Sequence, residues 1–185
     1  MSERFIITGL PRSRTGWLAN LFNYGPCFCL HDGCQFGKKG LEERLKGLEE
    51  SGRYAHVGNS DSVYSLDRSS LTGTEKVIVV CRNAAEAEAS FVAYFKRHPY
   101  PQMTHDAMAL HDRYCCAVEG MRELIRAIPT ERLRLVGFGD LNQMEQCEAL
   151  WNFICPEEKF NRDRWDVLDK LRVNPASEKV FLWDS

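Results

Sequence analysis

Long apolar runs are missing from this 185-residue sequence. The longest, such as Val77-Ile78-Val79-Val80, fall far short of the ~20 residues a helix needs to cross a bilayer. No membrane span is expected. One-sided charge is missing too. With 24 Lys+Arg against 26 Asp+Glu, the formal net charge of -2 gives no global pull toward nucleic acid or an anionic membrane, and neither is expected as a partner. Any anion site has to be local. The opening residues, Met1-Ser2-Glu3-Arg4, lead straight into a strand-like run without the layout of a signal peptide, so a cytoplasmic protein is the expectation. Repeats, low-complexity segments and linkers do not occur, which gives one domain over residues 1–185; a fold of this length buries roughly 70% of its unfolded surface.

Cysteine is not scarce, but none of the eight stands at C-x-x-C spacing. Without a secretory signal, reduced thiols are the expected state. The run Cys27-Phe28-Cys29-Leu30-His31-Asp32-Gly33-Cys34 invites a zinc reading. Cys27, Cys29 and His31, however, lie on what reads as a strand leading out of the core, and the second ligand pair of a closed tetrahedral site is missing. Small buried residues beside a functional strand end are the better reading, and no metal is expected.

Phe5-Ile6-Ile7-Thr8 is a short β-branched run that Gly9-Leu10-Pro11 breaks. Trp17, Leu18, Leu21 and Phe22 then recur at helical spacing until Gly25-Pro26. Cys27 to Leu30 reads as a second strand, Lys39 to Ser51 as an amphipathic helix, and Tyr54 to Val57 as a third strand ended by Gly58-Asn59-Ser60-Asp61. Val77 to Cys81 is the clearest strand, followed by the helix-forming stretch Ala84 to Arg97. A long helix over Thr104 to Ile128 is closed by Pro129. Leu133 to Val136 is a fifth strand, and Asp140 is the expected N-cap of a helix over Leu141 to Ile154. A last helix spans Glu157 to Leu171, and the apolar tail Val180-Phe181-Leu182-Trp183 is expected to dock. Alternating strands and helices imply an α/β fold, three layers deep, around a mainly parallel five-stranded sheet. Ligands of such sheets bind beyond the carboxyl ends of the strands.

The loop after the first strand meets that requirement. It opens a helix and offers successive backbone N–H groups at a helix N-terminus, a site for phosphate or sulfate. Arg12 and Arg14 add two cations, and Ser13 and Thr15 two hydroxyls. Arginine suits oxyanions because its planar fork donates two parallel hydrogen bonds. The loop is not a Walker A sequence, since the Gly-Lys-Ser/Thr ending is absent.

Pro11-Arg12-Ser13-Arg14-Thr15-Gly16-Trp17 resembles the cofactor loop of the sulfotransferases, Pro-Lys/Arg-Ser-Gly-Thr-Thr-Trp. The resemblance implies a P-loop NTPase-like fold and binding of the 5′-phosphosulfate end of 3′-phosphoadenosine 5′-phosphosulfate (PAPS). Arg14 stands where glycine is usual, and Gly16 where the second threonine is usual. Trp17 is similar to the family residue that stacks on adenine; an aromatic anchoring the first helical turn to the core is the alternative. A second motif resembles the family's 3′-phosphate clamp, an arginine ending a strand and a serine on the following helix. It runs from Cys81 to Phe91, with Arg82 and Ser90 in the two polar positions.

Sulfuryl transfer needs a group to take the acceptor's proton while cations stabilise the transferring group. Family members use a histidine or a glutamate for this, and His31-Asp32 stands at the second strand's end. His31 is a candidate base, with Asp32 as the alternative base or its orienter; a loop-capping pair is the bland reading. Arg12 is also a candidate for the transition-state cation. Asn59-Ser60-Asp61 faces an acceptor pocket or merely makes a turn, and His98-Pro99 with His105 to His111 is a candidate lid. The family's basic, glycine-containing loop near the C-terminus is not found; Arg162, Arg164, Lys170 and Arg172 provide charge without its pattern. The resemblance therefore implies a small PAPS-dependent sulfotransferase acting on a small-molecule or glycan acceptor. Two alternatives are a nucleotide-binding protein without turnover and a small nucleotide or phosphate kinase.

Overall fold

Phe5, Ile6 and Ile7 are all buried, as expected of a strand covered on both faces. They form the middle of β1 (Glu3–Gly9) in the computed structural model, which describes residues 2–69, 71–97 and 107–170. After β1 come α1 (Thr15–Phe22), β2 (Cys27–His31), α2 (Gly37–Glu50), β3 (His56–Ser60) and β4 (Lys76–Cys81). The chain continues with α3 (Ala84–Arg97), α4 (Ala107–Ala127), β5 (Leu133–Gly137), α5 (Met144–Ile154) and α6 (Arg162–Lys170).

The five strands form one all-parallel sheet in the order β2-β3-β1-β4-β5. Side chains alternate across its two faces. Phe5, Ile7, Ile78 and Val80 point into one apolar cluster with α1, α5 and α6, where Phe22 stacks on Trp151 at 5.6 Å. Ile6, Val77 and Val79 point into the opposite cluster with α3 and α4, and Val57 packs on Leu41 and Leu45 of α2. The result is the three-layer α/β/α arrangement of a P-loop NTPase-like fold. No helix among the described residues is long and apolar enough to cross a membrane.

Two local expectations change. The third strand does not stop at Val57 but runs to Ser60, so Gly58-Asn59-Ser60 is strand rather than turn. Its polar residues are buried and bonded, and a Cβ on Gly58 would stand 2.5 Å from the Phe5 ring, so only glycine fits beside that aromatic. Asp140 does not cap α5 either: it opens a 3-10 turn, its carboxylate accepts from the Gly137 N–H at 3.2 Å, and α5 starts at Met144 after Gln143. His98, Pro99, His105, Arg172 and the 180–183 tail lie outside the described residues.

The chain leaves β1 for the β2-β3 side of the sheet and then crosses to β4 on the other side. That reversal beside β1 is the switch point at which ligands of open α/β sheets bind.

Candidate functional site

Gly9 ends β1 where a Cβ would meet the Val80 carbonyl at 2.8 Å and Ser13 Cβ at 3.0 Å, so glycine lets the loop fold back over the sheet. Pro11 and Arg12 then make the turn. Arg12 (φ 71°) and Arg14 (φ 62°) both adopt the left-handed conformation that glycine prefers. The third non-glycine residue of this kind among the described residues is Asp32 (φ 53°), in the loop after β2. Each such conformation costs on the order of 1–3 kcal/mol, and such costs gather at functional sites. Arg14 is also the N-cap of α1 and makes no side-chain cap, and the first turn carries no acidic residue. The α1 N-terminus thus keeps its backbone donors for something other than the chain's own side chains.

The arginines converge on this loop. Arg82, just past β4, donates from Nη1 to the Arg12 carbonyl at 2.5 Å. Its guanidinium covers one ring, that of Phe138, at 4.2 Å, and Arg14 approaches the same ring at 5.3 Å. Arg14 also donates to Asn142 Oδ1 at 2.5 Å. Arg12 lies over the Tyr94 ring of α3 at 4.5 Å. Among the described residues the partners of these cations are rings, a carbonyl and an amide rather than paired carboxylates. Burial accordingly lowers the pKa of Arg12, partly opposed by Tyr94, and lowers that of Arg14, partly opposed by Asp169. Arg12 Nε, Arg82 Nε and Ser13 Oγ are buried without a hydrogen-bond partner among the described residues. Buried donors of this kind are costly unless something accepts from them. An oxyanion would.

The β2 end is joined to this loop through β3, although β2 and β1 are not neighbours in the sheet. Ser60 does the joining. Its Oγ donates to the Thr15 carbonyl at 2.7 Å, and its own carbonyl accepts from the Asp32 N–H at 2.9 Å. Asn59 Oδ1 accepts from the Gly33 N–H at 3.0 Å, and the buried Asp61 carboxylate accepts from the Cys34 and Val63 N–H groups at 3.0 and 2.9 Å. The His31-Asp32 corner is therefore held from below by three consecutive residues of β3 and its exit. Sequence reasoning singled these out only as a turn or a pocket wall; the signal that identifies them is register, which sets Leu30 beside Asn59 and His31 beside Ser60.

His31 is turned toward the loop. A Cβ on Gly16 would lie 2.8 Å from His31 Nε2, and Asp32 Oδ1 is 3.4 Å from the same nitrogen. Glycine stands at position 16 because the imidazole occupies the space a threonine would need. The Asp32 carboxyl is shifted up by burial, against the pull of His31 and with added push from Asp61. Of the remaining expected residues, Ser90 lies half-buried on α3, one turn before Tyr94. Trp17 is 1% exposed in the core, its indole N–H donating to the Leu168 carbonyl at 3.3 Å, with the Arg14 guanidinium 5.6 Å from its ring. That is the placement of a core anchor; stacking on adenine would require Arg14 and α6 to uncover the ring.

The fold has counterparts among solved structures. Over 91% of its length the chain superposes on mouse sulfotransferase SULT7A1 complexed with PAP, with a TM-score of 0.61 and 12% identity. The sulfotransferase from Alicyclobacillus acidocaldarius matches 95% of the chain at a TM-score of 0.60 and 11% identity. The chain has the sulfotransferase fold. The sulfotransferase domain of the Synechococcus PCC 7002 olefin synthase matches 88% of it, at 0.58 and 16%. The chain spans 64% of the mouse protein's length, 93% of the Alicyclobacillus protein's and 76% of the Synechococcus domain's. No family model matches the sequence, and no curated protein does. In this fold Pro11 to Arg14 form the loop after β1, Arg82 stands at the end of β4 and His31 and Asp32 at the end of β2, while Ser90 lies on α3.

Proposed function

We propose that the chain is a small PAPS-dependent sulfotransferase that moves a sulfuryl group to a hydroxyl or amine of a small-molecule or glycan acceptor. The observation that carries this reading is the set of buried donors at the β1 loop, Arg12 Nε, Ser13 Oγ and Arg82 Nε, which have no hydrogen-bond partner among the described residues and lie beside a helix N-terminus without a side-chain cap. PAPS, when bound, supplies the sulfuryl group. Arg12, Ser13, Arg14 and Thr15 with the α1 backbone hold its 5′ end, and Arg82 with Ser90 holds the 3′-phosphate. Pro11 and Gly16 shape the loop around it. Arg12 neutralises charge that builds on the transferring group, a role that needs a fixed cation and no metal. His31 takes the acceptor's proton with Asp32 orienting the ring, or Asp32 takes it; the closeness of His31 to Gly16 and to Asp32 supports the first assignment.

A ligand-stabilisation screen tests the reading. Adenosine 3′,5′-bisphosphate at 100 times its Kd should add about 2.7 kcal/mol to unfolding stability, and Mg-ATP should add much less. A preference for Mg-ATP would overturn it in favour of a kinase. Binding of the bisphosphate without transfer of labelled sulfate to any acceptor in a broad panel would leave a cofactor-binding protein without turnover.

A further inference from the structure

At the opposite end of the sheet, where the strands begin, a second cluster has no part in sulfuryl transfer. His56 opens β3, and Cys155 and Glu157 follow the end of α5. Each offers a ligating atom, an imidazole nitrogen, Cys155 Sγ and a Glu157 carboxylate oxygen, all within 4.8 Å of one another. His56 Nε2 contacts Glu157 Oε1 directly, and Cys155 Sγ is 3.4 Å from the same oxygen. The His56 side chain is only 6% exposed, yet its Nδ1 is buried without a hydrogen-bond partner among the described residues. The nearest carboxylate to it, Glu3 Oε2, stands 3.7 Å away.

A plain ion pair accounts for His56 with Glu157, but not for the Cys155 thiol on the same carboxylate oxygen. One imidazole, one thiol and one carboxylate are donors that suit a borderline-soft cation such as zinc. We propose that His56, Cys155 and Glu157 bind one zinc ion, and that this ion pins the start of β3 to the chain just past the end of α5. Three protein ligands leave one position of a tetrahedral zinc to water. His56 lies about a hundred residues from Cys155 and Glu157, which is why the expectation of no metal followed from local spacing alone.

The test uses the full chain, stripped with a chelator and then titrated with zinc or cobalt(II). One equivalent of zinc should bind and raise the melting temperature. Cobalt(II) should give a thiolate-to-metal charge-transfer band and visible bands of tetrahedral strength. Cys155→Ser should abolish the charge-transfer intensity contributed by that thiolate and weaken zinc at least tenfold. Glu157→Gln, at a side chain 52% exposed and so able to change without loss of the fold, should also weaken it tenfold. The proposal fails if the stripped, folded chain takes up neither metal, or if both variants bind zinc as tightly as the parent. Adenosine 3′,5′-bisphosphate binding at the other end of the sheet is measured separately, so the two readings stand or fall independently.

Discussion

At position 16 a β-carbon would lie 2.8 Å from His31 Nε2 and 3.1 Å from Cε1, closer than such contacts tolerate. Gly16→Thr should therefore cost about 1–3 kcal/mol, the usual penalty of overpacking. The same change in a His31→Ala background should cost less than half as much, because the ring is what it meets. A double-mutant cycle by urea denaturation measures the difference, with a coupling of about 1 kcal/mol expected; additive losses would mean the ring and position 16 do not touch. Arg14 poses a backbone question instead. At φ 62° a residue with a β-carbon is strained, and Arg14→Gly and Arg14→Ala both lose the guanidinium. Glycine should give the more stable protein of the two, by about 1 kcal/mol, read as a difference in denaturation midpoint at equal slope. The glycine usual at this place in the resembling loop thus has a conformational reason, and arginine here gains contacts to Asn142 and Phe138 at the cost of that strain.

The elements were legible where apolar pattern and breakers agreed. Val77 to Cys81 and Ala84 to Arg97 are where strand and helix stand, because β-branched residues and alanine/glutamate runs favour those states locally and nothing tertiary opposes them. β3 was half legible. Gly58, Asn59 and Ser60 carry turn chemistry, and only the pairing with β1 and β2 makes them strand. The same override explains Asp140, whose carboxylate serves the turn after β5 rather than α5. The turn before β4 is held by one buried acid that composition does not reveal. Glu75 accepts from Thr72 N, Thr72 Oγ1, Gly73 N and Thr74 N at 2.7 to 3.1 Å. Burial pushes its carboxyl up, but these donors outweigh it and the net shift is downward. A depressed folded value means the contribution is whole above the ordinary glutamate pKa of about 4.3 and fades as pH falls through the lowered one. Glu75→Gln should cost about 1–3 kcal/mol at pH 7, and the gap to the parent should narrow steadily below about pH 4. A pH-independent gap in urea titrations would assign the loss to packing instead.

Across the whole molecule, an all-parallel sheet gives its two ends different chemistry. The carboxyl ends gather Arg12, Arg14, Arg82 and His31 from three separate strand exits, and the amino ends gather cysteines, His56 and acids. With a net charge of only -2, neither end follows from bulk charge. The carboxyl-end site was readable because two of its parts are contiguous motifs; the Ser60 bridge and the Phe138 ring between Arg14 and Arg82 were not, since they depend on which strands adjoin. Arg82 shows how the site's unity can be tested. It has two possible jobs, gripping a 3′-phosphate or bracing the loop through the Arg12 carbonyl. A grip is lost only by ligands that carry the 3′ group, while a brace is lost by all of them. Arg82→Ala should weaken adenosine 3′,5′-bisphosphate roughly tenfold or more, as befits a charged hydrogen bond worth about 1.5–3 kcal/mol, and adenosine 5′-phosphate by much less. Calorimetric titration of both ligands into both proteins separates the cases. Equal losses would make Arg82 a brace for the β1 loop and leave the 3′-phosphate to other residues.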